Sequence, residues 1–293
     1  MLDPKRLRLL IQLESLGTVR AVAEAASLSP SAVSQQLATL EQESGAALLE
    51  RHGRAVALTD SGVALAAHAR AILERIGAAE EDLRALRDAP AGTVRIAAFT
   101  SAMRAFVIRA AATIGTHHPG IAVHLSELEP DDCVPTLARG EVDLAVVADF
   151  GDGTLPHVPQ ARRVPLAHDA LQVVLPSGHP FGSGDIGELA QEAWLLDGTE
   201  LERHVLRRCR HAGFEPRVAG RLFSHEALLY AVRSGLGVTV LPTFALDRAE
   251  GVEIRSLASG GRRELGVLHR EGALDRRSVA LTLDVLVAAA RAV

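Results

Sequence analysis

The stretch from Gly17 to Glu41, GTVRAVAEAASLSPSAVSQQLATLE, constrains this chain more tightly than any other. Thr18 is a residue type that caps a helix. Val19, Val22, Ala23 and Ala26 follow at i, i+3, i+4 and i+7 and form one apolar face. Alanines on that face let a second helix come close. Ser27 to Ser29 break the period, Pro30 stands where a first helical turn needs no N–H, and Val33, Leu37 and Leu40 resume an apolar face. The spacing therefore predicts two short helices joined by a polar turn. The outer face of the second carries Ser31, Ser34, Gln35 and Gln36. Short hydroxyl and amide side chains on the first turns of a helix suit base edges and phosphates in a major groove. Spacing alone fits an ordinary solvated hairpin equally well.

The flanking segments extend the pattern. Leu7, Leu10, Ile11 and Leu13 to Leu16 fall at helical spacing after Asp3-Pro4 and predict a first helix beneath the other two. After Gly45, Ala46 to Glu50 is expected to begin another short helix. Arg51-His52-Gly53-Arg54 then turns between two apolar segments, with Gly53 free to take φ > 0. Arginines such as Arg51 and Arg54 at a turn reach a phosphate or a narrow minor groove, or are simply solvated. Thr59 caps a long helix expected to end near Arg87. Its apolar residues Leu65, Ala69, Ile72, Ile76, Ala79, Leu83 and Leu86 are spaced by 4, 3, 4, 3, 4 and 3. That heptad seam calls for a partner helix, most simply that of a second copy.

Bulk charge gives no support to nucleic-acid binding. The net charge is -5 and the pI about 6.2, and from Met1 to Leu58 the six bases Lys5, Arg6, Arg8, Arg20, Arg51 and Arg54 meet six acids. Phosphate attraction must come from placement, from helix N-termini and from doubling in a dimer. An aromatic content of 3% excludes a base-stacking platform.

The block Gly17 to Glu41, followed by LLERHGRAVALTDSG from Leu48 to Gly62, resembles the N-terminal domain of the LysR-type transcriptional regulators. The resemblance runs more weakly over all 293 residues. It implies a winged helix-turn-helix at 1–58, a linker and dimerisation helix at 59–88, a hinge at 89–92 and an effector-binding region at 93–293. That region would be two-lobed α/β, like type 2 periplasmic binding proteins, with lobe I at about 93–164 and 266–293 and lobe II at about 165–265. The DNA contacts it suggests are Thr18, Arg20, Pro30, Ser31, Ser34, Gln35, Gln36, Arg51 and Arg54. The family often has a basic residue at the place of Gln35 and Gln at the place of Pro30, so base preference does not carry over.

Beyond the breaker Asp88 to Gly92 the character of the chain changes. Strands are expected at Val94 to Ala98, Ile121 to Ser126, Val142 to Ala148, Leu171 to Leu175, Trp194 to Leu196, Arg217 to Phe223, Val238 to Leu241 and Leu265 to His269. Helices are expected at Thr100 to His118, Asp131 to Arg139, Leu201 to Ala212, His225 to Ser234 and Ser278 to Ala292. The alternation indicates βαβ units and a parallel sheet. Crossover strands would fall near Ala161 to Ala167 and Glu264 to His269. Ligands in such folds bind beyond the carboxyl ends of strands. Thr100, Ser101, Glu129, Thr199, Ser224 and His225 occupy those places, either as cleft residues or as plain helix caps and solvated side chains.

Thr100 and Ser101 suit a carboxylate and Glu129 an amino group, so an amino acid or related metabolite is the expected effector. No catalytic elbow, Walker loop or dinucleotide fingerprint is present. His117-His118 cannot share a helical face, and neither a metal site nor a cofactor is expected. Cys209 falls on an apolar helix face, and Cys133 is expected to be the more exposed thiol. With no apolar leader or membrane span, a cytoplasmic homo-oligomer is expected, a dimer or a homotetramer built as a dimer of dimers. Its partners would be double-stranded operator DNA, a small effector and RNA polymerase. A stand-alone binding protein and an α/β enzyme are the competing readings.

Overall fold

The computed structural model describes residues 1–52, 55–85, 90–151, 161–182, 184–247, 249–258 and 260–293. It opens with α1 (Pro4–Leu16), α2 (Val19–Ala26) and α3 (Pro30–Ser44). Each is started by a side chain: Asp3 accepts from the Lys5 N–H at 2.7 Å, Thr18 from Ala21 at 3.2 Å and Ser29 from Ala32 at 3.2 Å. Leu7, Leu10, Leu13, Val22, Ala23, Val33, Leu37 and Leu40 are buried together between them.

Ala46 to Glu50 form no helix. Leu49 already enters β1 (Leu49–His52), which pairs antiparallel with β2 (Ala55–Leu58) as a wing. Glu41 explains the difference, because its carboxylate accepts the N–H groups of Leu48 at 2.9 Å and Leu49 at 3.1 Å. Donors that a helical turn would have satisfied are taken by a side chain instead.

Thr59 caps α4 (Asp60–Ala85) by accepting from the Gly62 N–H at 3.1 Å. The heptad residues divide along its length. Leu65 and Ala69 pack into the head core, Ile72, Ile76, Ala79 and Leu83 are exposed, and Leu86 lies outside the described residues. The helix also finds partners on its own chain. Arg70 pairs with Glu14 of α1, while Glu74 pairs with Arg270 and Arg75 with Asp275 far along the sequence. Charged residues flanking the seam supply these contacts, which an apolar pattern does not reveal.

The remainder builds two lobes. Lobe I holds β3 (Gly92–Ala98), α5 (Thr100–Ala102), a π-helical turn (Met103–Val107), α6 (Ile108–His117), β4 (Ile121–Glu127), α7 (Pro130–Ala138) and β5 (Leu144–Asp149). β6 (Ala161–Pro176) crosses to lobe II, which holds β7 (Ala193–Leu196), α8 (Glu200–His211), β8 (Arg217–Arg221), α9 (His225–Arg233), β9 (Thr239–Pro242) and β10 (Val252–Ser256). β11 (Arg262–Arg270) returns to lobe I, where α10 (Arg277–Arg291) packs. The main sheet runs β10-β6-β11-β5-β3-β4, with β9 also on β6. β3 is parallel to β4 and β5, whereas β6 and β11 are antiparallel to each other over nine residue pairs.

Three expectations are revised. The helix expected from Thr100 to His118 is divided by the π turn. The crossover and the strand expected at Leu171 to Leu175 are one continuous strand, β6. Pro165 does not break it, because it stands opposite Gly266 where the β11 register shifts, and a bulge tolerates a residue with no N–H. β10 went unread, since its sequence VEIRS carries charge on alternate positions at a sheet edge.

Candidate DNA-reading face and ligand cleft

Pro30, Ser31, Ser34 and Gln35 are exposed along the first turns of α3, and Thr18 and Arg20 are exposed at the start of α2. Gln36 is turned toward α1, where its Oε1 accepts from Arg6 Nε at 2.9 Å. Arg6 in turn donates to Glu43 at 2.6 Å. Three of the acids that cancel the head's positive charge are thereby engaged internally: Glu14 with Arg70, Glu43 with Arg6, and Glu41 with the wing backbone. Arg20 has no ion-pair partner among the described residues. The face that presents Ser31, Ser34 and Gln35 is thus less acidic than composition suggests. Arg51 lies on the wing opposite Val56, and Arg54 lies outside the described residues.

A narrow cleft of about 30 Å³ lies between the lobes and adjoins an open recess of about 450 Å³. Thr100, Ser101 and Glu129 line it from lobe I, Thr199 and His225 from lobe II. The ends of separate strands bring these five together, as their positions predicted. Ser224 caps α9 and lines the adjoining recess with Thr100 and His225. The two hydroxyls assigned to a carboxylate have other partners: Thr100 donates to Glu127 at 2.7 Å, and Ser101 accepts from Arg263 at 2.7 Å.

Arg263 and Asp197 complete the lining and were not foreseen. Arg263, on β11, is 5% exposed and forms a buried ion pair with Asp169 on β6, Nη2 to Oδ2 at 2.7 Å. Its guanidinium lies over the Phe99 ring with 4.8 Å to the centroid. Asp197 follows β7 directly, and accepts from the Thr199 hydroxyl at 2.6 Å and from the Glu202 N–H at 3.1 Å. A position directly after a strand was the available signal for Asp197. For Arg263 the signal was a basic residue entering a strand destined for burial.

Titration follows from this crowding. Withdrawal from water raises the Glu129 carboxyl to about 7, Asp197 adds to the rise and Arg263 opposes it. Burial lowers His225 from its ordinary value, and Asp197 opposes that shift. Cys133 proves buried, with its Sγ 3.5 Å from the Leu128 carbonyl. Burial pushes both its thiol and that of Cys209 up to about 12, so neither is reactive. Among the described residues no cluster of His, Cys, Asp or Glu has a metal-holding arrangement, and no helix is long and apolar enough to cross a membrane.

Known proteins share both halves of this architecture. Residues 4–63 match the family described as bacterial regulatory helix-turn-helix protein, lysR family, and residues 87–291 match the LysR substrate binding domain. A RuBisCO operon transcriptional regulator from Allochromatium vinosum is 30% identical over 260 residues, covering 87% of this chain and 81% of that protein. A full-length OxyR variant from Pseudomonas aeruginosa superposes with a TM-score of 0.71 at 22% identity, covering 98% of each chain. Full-length CbnR in complex with its target DNA superposes with a TM-score of 0.56 at 22% identity, covering 99% of this chain and 100% of that one. With a reading head and a two-lobed cleft matched along nearly its whole length, this chain belongs to the LysR family of DNA-binding transcriptional regulators.

Proposed function

We infer that the chain acts in the cytoplasm as a homo-oligomer whose paired heads bind an inverted-repeat operator, with α3 in the major groove. The observation that carries this reading is the exposed row Ser31, Ser34 and Gln35 beside acids already engaged elsewhere. Thr18 and Arg20 at the start of α2 would meet phosphates, as would Arg51 and Arg54, while Pro30 at the start of α3, with no N–H to donate, would make van der Waals contact only. Gln36 is better suited to holding α3 on α1 through Arg6. The exposed Ile72, Ile76, Ala79 and Leu83 of α4 supply an apolar strip for the same helix of a second copy, which fixes the spacing of the heads. The functional division follows 1–58, 59–88, 89–92 and 93–293, and the known relatives are regulators rather than enzymes.

A small metabolite in the cleft would then shift the balance between arrangements of lobes and heads. In a mobility-shift assay on the DNA flanking the gene, Ser34→Ala and Gln35→Ala are each expected to weaken specific binding about five- to a hundredfold, the scale of a lost base contact. Circular dichroism should stay unchanged, since both side chains are exposed. Undiminished binding by both variants would move the reading face elsewhere.

A further inference from the structure

The cleft lining combines two features that no single charge satisfies. Arg263 is nine-tenths buried and lines the cleft floor. Its Nε and Nη2 donate to Asp169 and Ser101, while Nη1 has no partner among the described residues. Nη1 is not sealed from water, so it can donate to whatever enters the cavity. Facing it are carboxylates from both lobes, Glu129 at the start of α7 and Asp197 after β7. The Arg263 charge is already matched by Asp169, so the remaining balance of the lining is acidic.

A simple dianion would meet these carboxylates, and a simple amine would leave Nη1 without an acceptor. We propose that the cleft takes a zwitterion of the amino-acid class, its carboxylate on Arg263 Nη1 and its ammonium between Glu129 and Asp197. This rests on the reading of the cleft as the effector site. Because the two acids belong to opposite lobes, an ammonium between them attracts both and adds to the cross-lobe ion pair of Arg203 with Asp131.

The Glu129 carboxyl titrates at about 7 instead of 4.5, so below that pH it holds a proton that must leave before an ammonium can pair with it. Affinity is therefore expected to rise about tenfold per pH unit up to about 7 and then to level, because the amino acid itself stays zwitterionic across this range.

The test uses the full chain in thermal-shift and calorimetric titrations against three matched series: free L-amino acids, their N-acetyl derivatives and the corresponding decarboxylated amines. At least one free amino acid should bind, with its N-acetyl and decarboxylated partners weaker by about tenfold to a hundredfold. Glu129→Gln should lose a similar factor for that amino acid and abolish the pH dependence, and it should fold normally because the Glu129 side chain makes no capping hydrogen bond to α7. Arg263→Lys should lose affinity for the carboxylate-bearing ligand. Equal binding of the N-acetyl or amine series, unchanged affinity in Glu129→Gln, or no response to any free amino acid would overturn the zwitterion. A mobility shift on the flanking DNA, run in parallel, separates that failure from failure of the regulator reading, which predicts DNA binding whatever the ligand.

Discussion

Asp169→Ala is expected to destabilise the two-lobed region by about 3–5 kcal/mol, the cost of leaving one member of a buried ion pair without its partner. The Asp169 side chain is fully buried, and its Oδ2 accepts both Nε and Nη2 of Arg263, at 3.0 and 2.7 Å. Its other oxygen accepts the Phe244 N–H at 3.2 Å, so the substitution also removes a backbone partner near the end of β9. Urea denaturation followed by circular dichroism would measure the loss. The double variant Asp169→Leu with Arg263→Met should recover most of it, because neither half then carries an unpaired charge. A loss below about 1 kcal/mol in the single variant would mean that water reaches the guanidinium and that the pair does not hold the crossover strands.

Gly62→Ala is expected to abolish operator binding while leaving the unfolding of the two lobes unchanged. A Cβ on Gly62 would lie 2.2 Å from the Leu48 carbonyl oxygen and 3.1 Å from the Leu58 Cβ. The first turn of α4 is pinned there, since the Thr59 N–H donates to that same carbonyl at 3.0 Å. The wing or the helix must move by about an ångström to admit one methyl group, and overpacking of this kind costs about 1–3 kcal/mol. In a small head that is a large share of total stability. Gly115→Ala is the control: it lies in α6, where a Cβ would meet nothing within 4 Å, and it should be neutral or slightly stabilising. Normal DNA binding by Gly62→Ala would show that the wing and α4 can slide apart at no cost.

The parts of the fold readable in advance were those written in local pattern. Thr18 and Ser29 announce helix starts by residue type, and they cap α2 and α3 through hydrogen bonds three residues on. The helices and strands of the lobes follow from hydrophobic periodicity, and the cleft residues follow from lying past strand ends. What stayed hidden depends on distant partners. The pairing of Arg263 with Asp169 joins residues 94 apart, and that of Arg270 with Glu74 joins residues 196 apart. Neither arginine differs locally from a solvated one. Glu41 misled in the same way, since a side chain closing onto the wing has no signature distinct from an exposed helical acid. Thr100 and Ser101 were placed correctly by topology, whereas their hydrogen bonds to Glu127 and Arg263 required knowing which strands lie beside them.

β11 carries Arg263 near one end and Arg270 at the other, seven residues and about 23 Å apart. The first forms the floor of the cleft, and the second grips Glu74 on the helix that bears the reading head. Between them the strand pairs with β5 on one side and β6 on the other, with the register shift against β6 at Gly266. One continuous strand thus holds both a residue of the cleft and the residue that anchors the linker helix, so the two regions share a covalent element and not only a surface.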